Sequence, residues 1–282
     1  YFIQKLLHMF ILCFIFFKVI PPIKDQIIIN NKHTNAIRCG VHEKENYGPQ
    51  TVNDYFLIGC EDGSSMTIRK CTFTDITTKN SVFDRWSHIM LFKKSNADIL
   101  ECTFIRNKYT TNFISMEEPN GNNYLKFYNN YIDDCNQKAG SKTSLIKSVY
   151  KINEFKYNTI KLNEGLLQTR VFEIKYHRGC KLIGNDIQSV KYDDGSSVLL
   201  CSEPGDTSLD PIEITDCKLY NCHGSHEGSI IQIFQLDTDI TIRNVTLQKT
   251  SNFHIHKEGM WPNEKYYSKG YFYQFQCKHS PA

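Results

Sequence analysis

Alanine, glycine and proline are all scarce in this chain of 282 residues, which holds 15 glycines and 8 prolines. Little alanine alongside abundant Asn, Ile, Tyr, Phe, Lys and Thr argues against a helix bundle and favours pleated β structure. Any long run of one charge is also missing. The 33 Lys and Arg residues face 30 Asp and Glu, for a net charge of +3, and the basic residues are scattered. That pattern argues against nucleic acid as the main partner. No apolar run is long enough to cross a bilayer. The stretch from Met9 to Phe17 follows Lys5 and precedes Lys18, which is the layout of a secretory signal. Residues 1–20 are therefore expected to be a signal peptide or hydrophobic N-terminal segment. A signal anchor and a buried strand are the alternatives, since Pro21 and Pro22 arrive before any small-x-small cleavage site. Tyr1 does not initiate a chain, which points to a longer reading frame.

Eleven cysteines are many for this length, and loss of Cys13 with a signal leaves an even number. An oxidising, exported location is the expectation, with buried thiols acting as small apolar residues as the alternative.

The sequence repeats itself. Ile68-Arg-Lys-Cys71-Thr-Phe73 recurs as Ile99-Leu-Glu-Cys102-Thr-Phe104 and Phe127-Tyr-Asn-Asn130-Tyr-Ile132. It returns around Asn158, Asn185, Cys217 and Val245, at steps of 31, 28, 28, 27, 32 and 28 residues. In every copy the residue three before the centre and the one two after it are apolar. A second apolar strand lies between copies, with the row Leu57, Met90, Ile114, Ile146, Phe172, Leu199, Ile231 and Phe272 pointing inward. A further short strand after each centre makes three strands per repeat, with no room for a ten-residue helix. Each repeat must then be one coil of a stack that shares a core with its neighbours.

The fold expected is an all-β, right-handed parallel β-helix of about seven coils over residues 54–277. Residues 21–53 would cap its N-terminal end, and 278–282 would begin a C-terminal stalk. The clustered aromatics Trp261, Tyr266, Tyr267, Tyr271, Tyr273 and Phe275 would cover the other end. At the central position, Asn tolerates the left-handed backbone of a tight corner. Asn130, Asn158 and Asn185 should therefore pass amide hydrogen bonds from coil to coil. Cys71, Cys102 and Cys217 would make the same ladder apolar. Cys71 and Cys102, in adjacent coils, lie within reach of a disulfide, with buried thiols as the alternative.

The Ile-x-x-Cys/Asn-x-Phe/Ile units resemble the right-handed β-helix repeats of the pectate-lyase-like superfamily. The Cys-Thr-Phe copies look like the large polymorphic surface β-helix proteins of protist parasites. The resemblance implies a secreted or cell-surface, adhesin-like rod, and says little of activity, because the superfamily holds adhesins, lyases and hydrolases alike. The Gly-Gly-Ala-Ile units of bacterial polymorphic outer-membrane proteins are missing. A leucine-rich repeat is the rival architecture, but only the copy from Leu209 to Leu219 fits its consensus fully.

Enzymes that resemble this fold bind substrate along a strand face. Outward rows there are expected to be Ile58, Leu91, Ser115, Lys147, Glu173, Leu200, Gln232 and Tyr273, then Cys60, Lys93, Glu117, Val149, Lys175, Ser202, Phe234 and Phe275. No two adjacent coils offer the paired acids of a hydrolase or a metal-assisted lyase, so no catalytic residue is expected. The nearest thing to a ligand site is Glu117, Lys147, Glu173, Lys175 and His177, with Arg170 beside them; a salt-bridged solvent face is the plain alternative. Asp193-Asp194 and Asp133-Asp134 read as turn residues. Cys222-His223-x-x-His226-Glu227 and His254-x-His256 have metal-ligand residue types in loops that do not fix a geometry, and neither metal nor cofactor is expected. Asn244-Val-Thr246 is a glycosylation sequon.

The expected function is non-catalytic binding of glycans or surface proteins by a secreted or cell-surface β-helix. Membrane association would come only through the N-terminal segment or an anchor beyond Ser280-Pro281-Ala282. A carbohydrate-active enzyme, lyase or hydrolase, on the same scaffold is the alternative.

Overall fold

The computed structural model describes residues 37–52, 56–61, 63–78, 88–118, 122–137, 143–150, 152–162, 169–175, 179–193, 195–202, 211–225, 230–233, 240–250, 255–257, 271–272 and 276–277. These residues form a parallel β-helix, and no helix occurs among them. Three sheets of nine strands each run along the stack, with every pairing parallel and every neighbour one coil away in sequence. The first sheet includes Phe56–Cys60, His88–Lys93, Ile114–Glu117, Thr143–Ser148, Thr169–Lys175 and Leu199–Ser202. The second includes Ser65–Arg69, Asn96–Leu100, Tyr124–Tyr128, Ile152–Lys156 and Gly179–Ile183. The third includes Thr72–Thr74, Thr103–Ile105, Tyr131–Asp133, Thr159–Lys161, Asp186–Tyr192, Lys218–Gly224 and Thr246–Gln248. The seven sequence copies each occupy one coil. Residues 37 to 52, within the segment expected to act as a cap, already supply a strand to each of the three sheets. A fourth sheet of four short strands, Gln50–Val52, Ile76–Thr78, Lys108–Tyr109 and Asn136–Gln137, adds a side that the three-strand reading lacks.

Alternation within each strand sends one row of side chains inward, and stacking makes the rows continuous. In the third sheet Tyr47, Phe73, Phe104, Ile132, Ile160, Ile187 and Leu219 lie over one another. The Tyr47 and Phe73 rings stack at 4.6 Å, and Phe73 and Phe104 at 4.9 Å. Phe155 of the second sheet meets Phe172 of the first across the core at 4.3 Å. Each fully buried Phe contributes about 2–3 kcal/mol relative to exposure, before the cost of ordering it.

Two register assignments differ from the sequence reading. Ile58, not Leu57, lies over Met90, so the outward row passes through Gly59 rather than Ile58 and Cys60 turns inward over Phe92. The strand Phe56–Cys60 is buried at every position, so its pattern carries no phase. At the other end Ile255 rather than Phe272 continues the Ile231 row, and Phe272 instead pairs with Ile242 in the second sheet. Gln232 is paired with His256, and Tyr273 lies outside the described residues.

The corner between the second and third sheets is also built differently from the expectation. The left-handed residue is the one before the centre: Lys70, Glu101, Asn129, Tyr157, Asp216 and Asn244 have φ of 55°, 55°, 56°, 57°, 56° and 53°, and Gly184 has 64°. That residue turns the chain and leaves the central side chain pointing into the core. There the Asn amides do form a ladder. Asn158 Oδ1 accepts from the Asn130 backbone N–H at 2.9 Å and from Asn130 Nδ2 at 3.1 Å. Asn158 Nδ2 donates to the Phe127 carbonyl at 2.8 Å and to Asn185 Oδ1 at 2.9 Å. Asn130 Oδ1 likewise accepts from the Cys102 N–H at 2.8 Å. Contrary to the apolar ladder expected from residue type, the cysteine rungs are polar. Their thiols take over the donor role, Cys102 Sγ to the Ile68 carbonyl at 3.5 Å and Cys217 Sγ to the Leu182 carbonyl at 3.4 Å.

A second, shorter ladder lies five residues after the first. Asn107 Oδ1 accepts from the Ile76 N–H and Asn107 Nδ2 donates to the Phe73 carbonyl, both at 2.9 Å. Cys135 and Cys222 occupy equivalent buried positions, and Cys222 Sγ donates to the Ile187 carbonyl at 3.6 Å. Here too the preceding residue is left-handed, at Asp75, Arg106, Asp134, Ser189, Asn221 and Lys249.

Candidate functional site

The outer face of the first sheet carries the charged cluster. Strand pairing brings Ser115, Lys147 and Glu173 into one row, because Ser115 pairs with Lys147 and Lys147 with Glu173. Glu117 lies opposite Lys93 in the next outward row. Around Glu173, Oε2 accepts from Ser144 Oγ at 2.7 Å and meets Arg170 Nη1 at 3.5 Å. Its Oε1 lies 3.9 Å from Lys147 Nζ and 3.8 Å from Lys175 Nζ. Arg170 is buried, donates from Nε to the Ser196 carbonyl at 2.9 Å, and lays its guanidinium over the Tyr192 ring at 4.4 Å. Three cations therefore converge on one carboxylate.

Glu117 belongs to a separate group. Ser115 Oγ donates to its Oε1 at 2.9 Å, and His88 Nε2 lies 3.7 Å from the same oxygen. The other ring nitrogen, His88 Nδ1, lies 3.3 Å from the Asn112 carbonyl. His88 is only 2% exposed, and this burial lowers its pKa against the opposing pull of Glu117. The structure thus brings Lys147, Glu173, Lys175 and Arg170 together, gives Glu117 its own partners, and leaves His177 outside the described residues.

The outer face of the second sheet holds a charge row that the sequence reading passed over. Asp98, Lys126, Glu154, Lys181 and Glu213 are stacked in register with alternating sign. Lys126 Nζ lies 3.9 Å from Asp98, Lys181 Nζ 3.9 Å from Glu154, and Lys156 Nζ 3.0 Å from Glu154. Burial works to raise the Glu154 pKa, but the Tyr128 hydroxyl and the two lysines outweigh it and hold the carboxyl below its ordinary range. A signal for this row was available, since each charge sits one residue before the apolar residue that opens its repeat.

The remaining candidates separate. Cys71 and Cys102 are free thiols in adjacent rungs, and a hydrogen bond between them favours the thiol form of Cys102. Burial pushes Cys135 and Cys222 up to about 12 and Cys217 to about 11, which suits core thiols rather than nucleophiles. Cys222 faces the core, whereas the adjacent His223 is exposed with Nε2 2.9 Å from Asn221 Oδ1. His226, Glu227 and His254 lie outside the described residues, and no metal-holding group of three His, Cys, Asp or Glu occurs among the described ones. Asp193 is exposed beside Lys191, Asp133 accepts from the Tyr131 hydroxyl at 3.1 Å, and Asp194 lies outside the described residues. Asn244 is exposed at a left-handed corner, with Nδ2 donating to Asp216 Oδ1 at 3.0 Å. Trp261, Tyr266, Tyr267, Tyr273, Phe234 and Phe275 fall outside the described residues, as do residues 1–20 and 278–282.

No protein-family model, curated protein or solved structure matches the chain. The β-helix and the chemistry of its faces therefore carry the functional argument.

Proposed function

We propose that this protein is a non-catalytic binding scaffold, secreted or displayed at a cell surface, whose strand faces engage glycans or surface proteins. Its kinship would be with the pectate-lyase-like β-helices and, more narrowly, with the surface β-helix proteins of protist parasites, on the strength of the Ile-x-x-Cys/Asn-x-Phe/Ile units. An N-terminal secretory segment and an adhesin-like role belong to the same reading.

The observation that carries it is the separation of the two acids on the first sheet. Glu117 and Glu173 stand two rungs and two residues apart, so their backbones are roughly 12 Å from each other. A glycosidase needs its two carboxyls to converge on one scissile bond. Each acid is also engaged by its own partners, Glu117 by Ser115 and His88 and Glu173 by Ser144, Arg170 and two lysines. Ordered, mutually neutralised charge over several rungs suits recognition of an extended partner, where complementary patterns give specificity more than raw affinity.

The test is a glycan array together with a reducing-end assay on the purified chain. Binding without release of reducing ends is the expected outcome. Sugar cleavage that disappears in Glu117→Ala or Glu173→Ala would replace this reading with the carbohydrate-active enzyme.

A further inference from the structure

The third sheet carries a shallow, open depression that neither charged face explains. Six outward side chains from three successive coils form two rows across it: Asp186, Lys218 and Thr246 in one, Gln188, Tyr220 and Gln248 in the other. Together they line a depression of about 310 Å³, with the buried Leu219 in its lining. That volume lies at the lower end for small-molecule sites, which bury a ligand between apolar surface and a few placed polar groups. Gln188 Nε2 donates to Asp186 Oδ1 at 2.9 Å, so the amide and carboxylate are oriented before any ligand arrives. The Tyr220 ring is half-buried, and Lys249 Nζ lies 5.6 Å from its centre.

We infer that this depression is a saccharide subsite, taking one neutral pyranose unit of a glycan against the Tyr220 ring. The ligand class rests on the glycan-binding reading above; the location does not. A pyranose ring presents an apolar C–H surface and a rim of hydroxyls that both donate and accept. An aromatic side chain with an apolar body and polar tip suits the first. The second needs mixed donors and acceptors, which Asp186, Lys218 and the amides of Gln188 and Gln248 supply. Within the lining one carboxylate faces one ammonium, with Lys249 outside it as a further cation beside the Tyr220 ring, so an acidic sugar is the alternative that the array tests. The two rows run along the stack, so neighbouring sugar units would continue towards Lys161 and Thr159, which pair with Gln188 and Asp186.

The experiment uses an array of neutral hexasaccharides (glucan, mannan, galactan and chitin type) and acidic ones (galacturonan and sulfated galactan). It is run with the unaltered chain and with Tyr220→Ala, Gln188→Ala, Tyr220→Phe and Glu173→Ala, each checked for a native β-sheet circular dichroism spectrum. The expected result is binding to a neutral hexasaccharide. Tyr220→Ala and Gln188→Ala should weaken it about tenfold, equivalent to about 1.4 kcal/mol, while Tyr220→Phe stays within about twofold. Neutral-glycan binding that survives Tyr220→Ala and Gln188→Ala overturns this site and leaves the general reading standing. So does binding lost only in Glu173→Ala. Preference for the acidic oligosaccharides overturns the neutral class, and absence of binding to every glycan overturns the site together with the glycan half of the reading, leaving surface proteins as the partner.

Discussion

The coils centred on Asn130, Asn158 and Asn185 turn the same corner as those centred on Cys71, Cys102 and Cys217, but with different chemistry. In the first set one carboxamide both accepts a backbone N–H from the neighbouring coil and donates to a carbonyl there, so two polar groups at a break between sheets are satisfied at once. In the second set the thiol donates to the equivalent carbonyl at 3.4–3.5 Å and is only a weak acceptor. What is common to both is the left-handed residue just before the centre and the burial of the central side chain. Backbone geometry therefore defines the corner, and the central residue decides how well its buried polar groups are paired.

The most severe way to break that contrast is Asn158→Ala. It removes the acceptor of the Asn130 N–H and the donor to the Phe127 carbonyl, and leaves buried groups unsatisfied, at about 1–3 kcal/mol each. A loss of about 3 kcal/mol in urea-induced unfolding is expected. Asn158→Cys should cost clearly less, because the thiol keeps the donor. Equal losses for Ala and Cys would show that thiol rungs contribute nothing polar.

Next in size is Gly184→Ala, which tests the backbone side of the comparison. Gly184 has φ of +64°, and an added Cβ would come within 2.5 Å of the Tyr157 ring of the preceding coil. A left-handed non-glycine residue costs about 1 kcal/mol and displacement of the ring adds to it, so about 1–2 kcal/mol should be lost. An unchanged urea midpoint would mean that Tyr157 swings away without cost.

Cys102→Asn runs in the other direction. It extends the amide column by one rung, with Oδ1 placed towards the Cys71 N–H as Asn130 Oδ1 is towards that of Cys102. A gain of about 1 kcal/mol is expected from the additional paired acceptor. Destabilisation would show that the thiol rung is set by packing volume instead.

The smallest effect belongs to His88, in the coil that leads to the Cys102 corner. Its folded pKa is depressed by burial below the ordinary value of 6.5, so the unfolded chain takes up the proton first. Stability is then fully present above about pH 6.5 and declines as pH falls through the folded value. In His88→Gln this part of the acid-side slope should be missing from urea midpoints measured between pH 7 and pH 5. An identical slope in both proteins would place the proton uptake elsewhere.

The repeat was legible because stacking demands it. An apolar residue three before and two after each centre is what an inward row on two adjacent sheets requires, and the Asn column followed from residue type at one position. The charged patch was legible too, since Lys147 and Glu173 share a phase that the repeat length preserves. The slip at Ile58 was not, because Phe-Leu-Ile-Gly-Cys is buried throughout and gives alternation nothing to read. The left-handed position escaped because Lys70, Glu101 and Tyr157 adopt it alongside Asn129, Gly184, Asp216 and Asn244, a mixture with no compositional mark. Asn107, Cys135 and Cys222, always five residues after a centre, did carry a signal for the second ladder. The depression around Tyr220 carried none, since its lining comes from three coils and each residue alone reads as an ordinary polar surface position.

The same corner has a bearing on how such a chain changes length. Every rung bonds only to the rung on each side, so gaining or losing a block of 27 to 32 residues would leave each remaining interface of the same kind as before. A single-residue insertion inside a strand would exchange its inner and outer faces and put charge into the core. Variation among descendants of this sequence should accordingly come in whole coils or in the loops between sheets, with the strands themselves held to a fixed count.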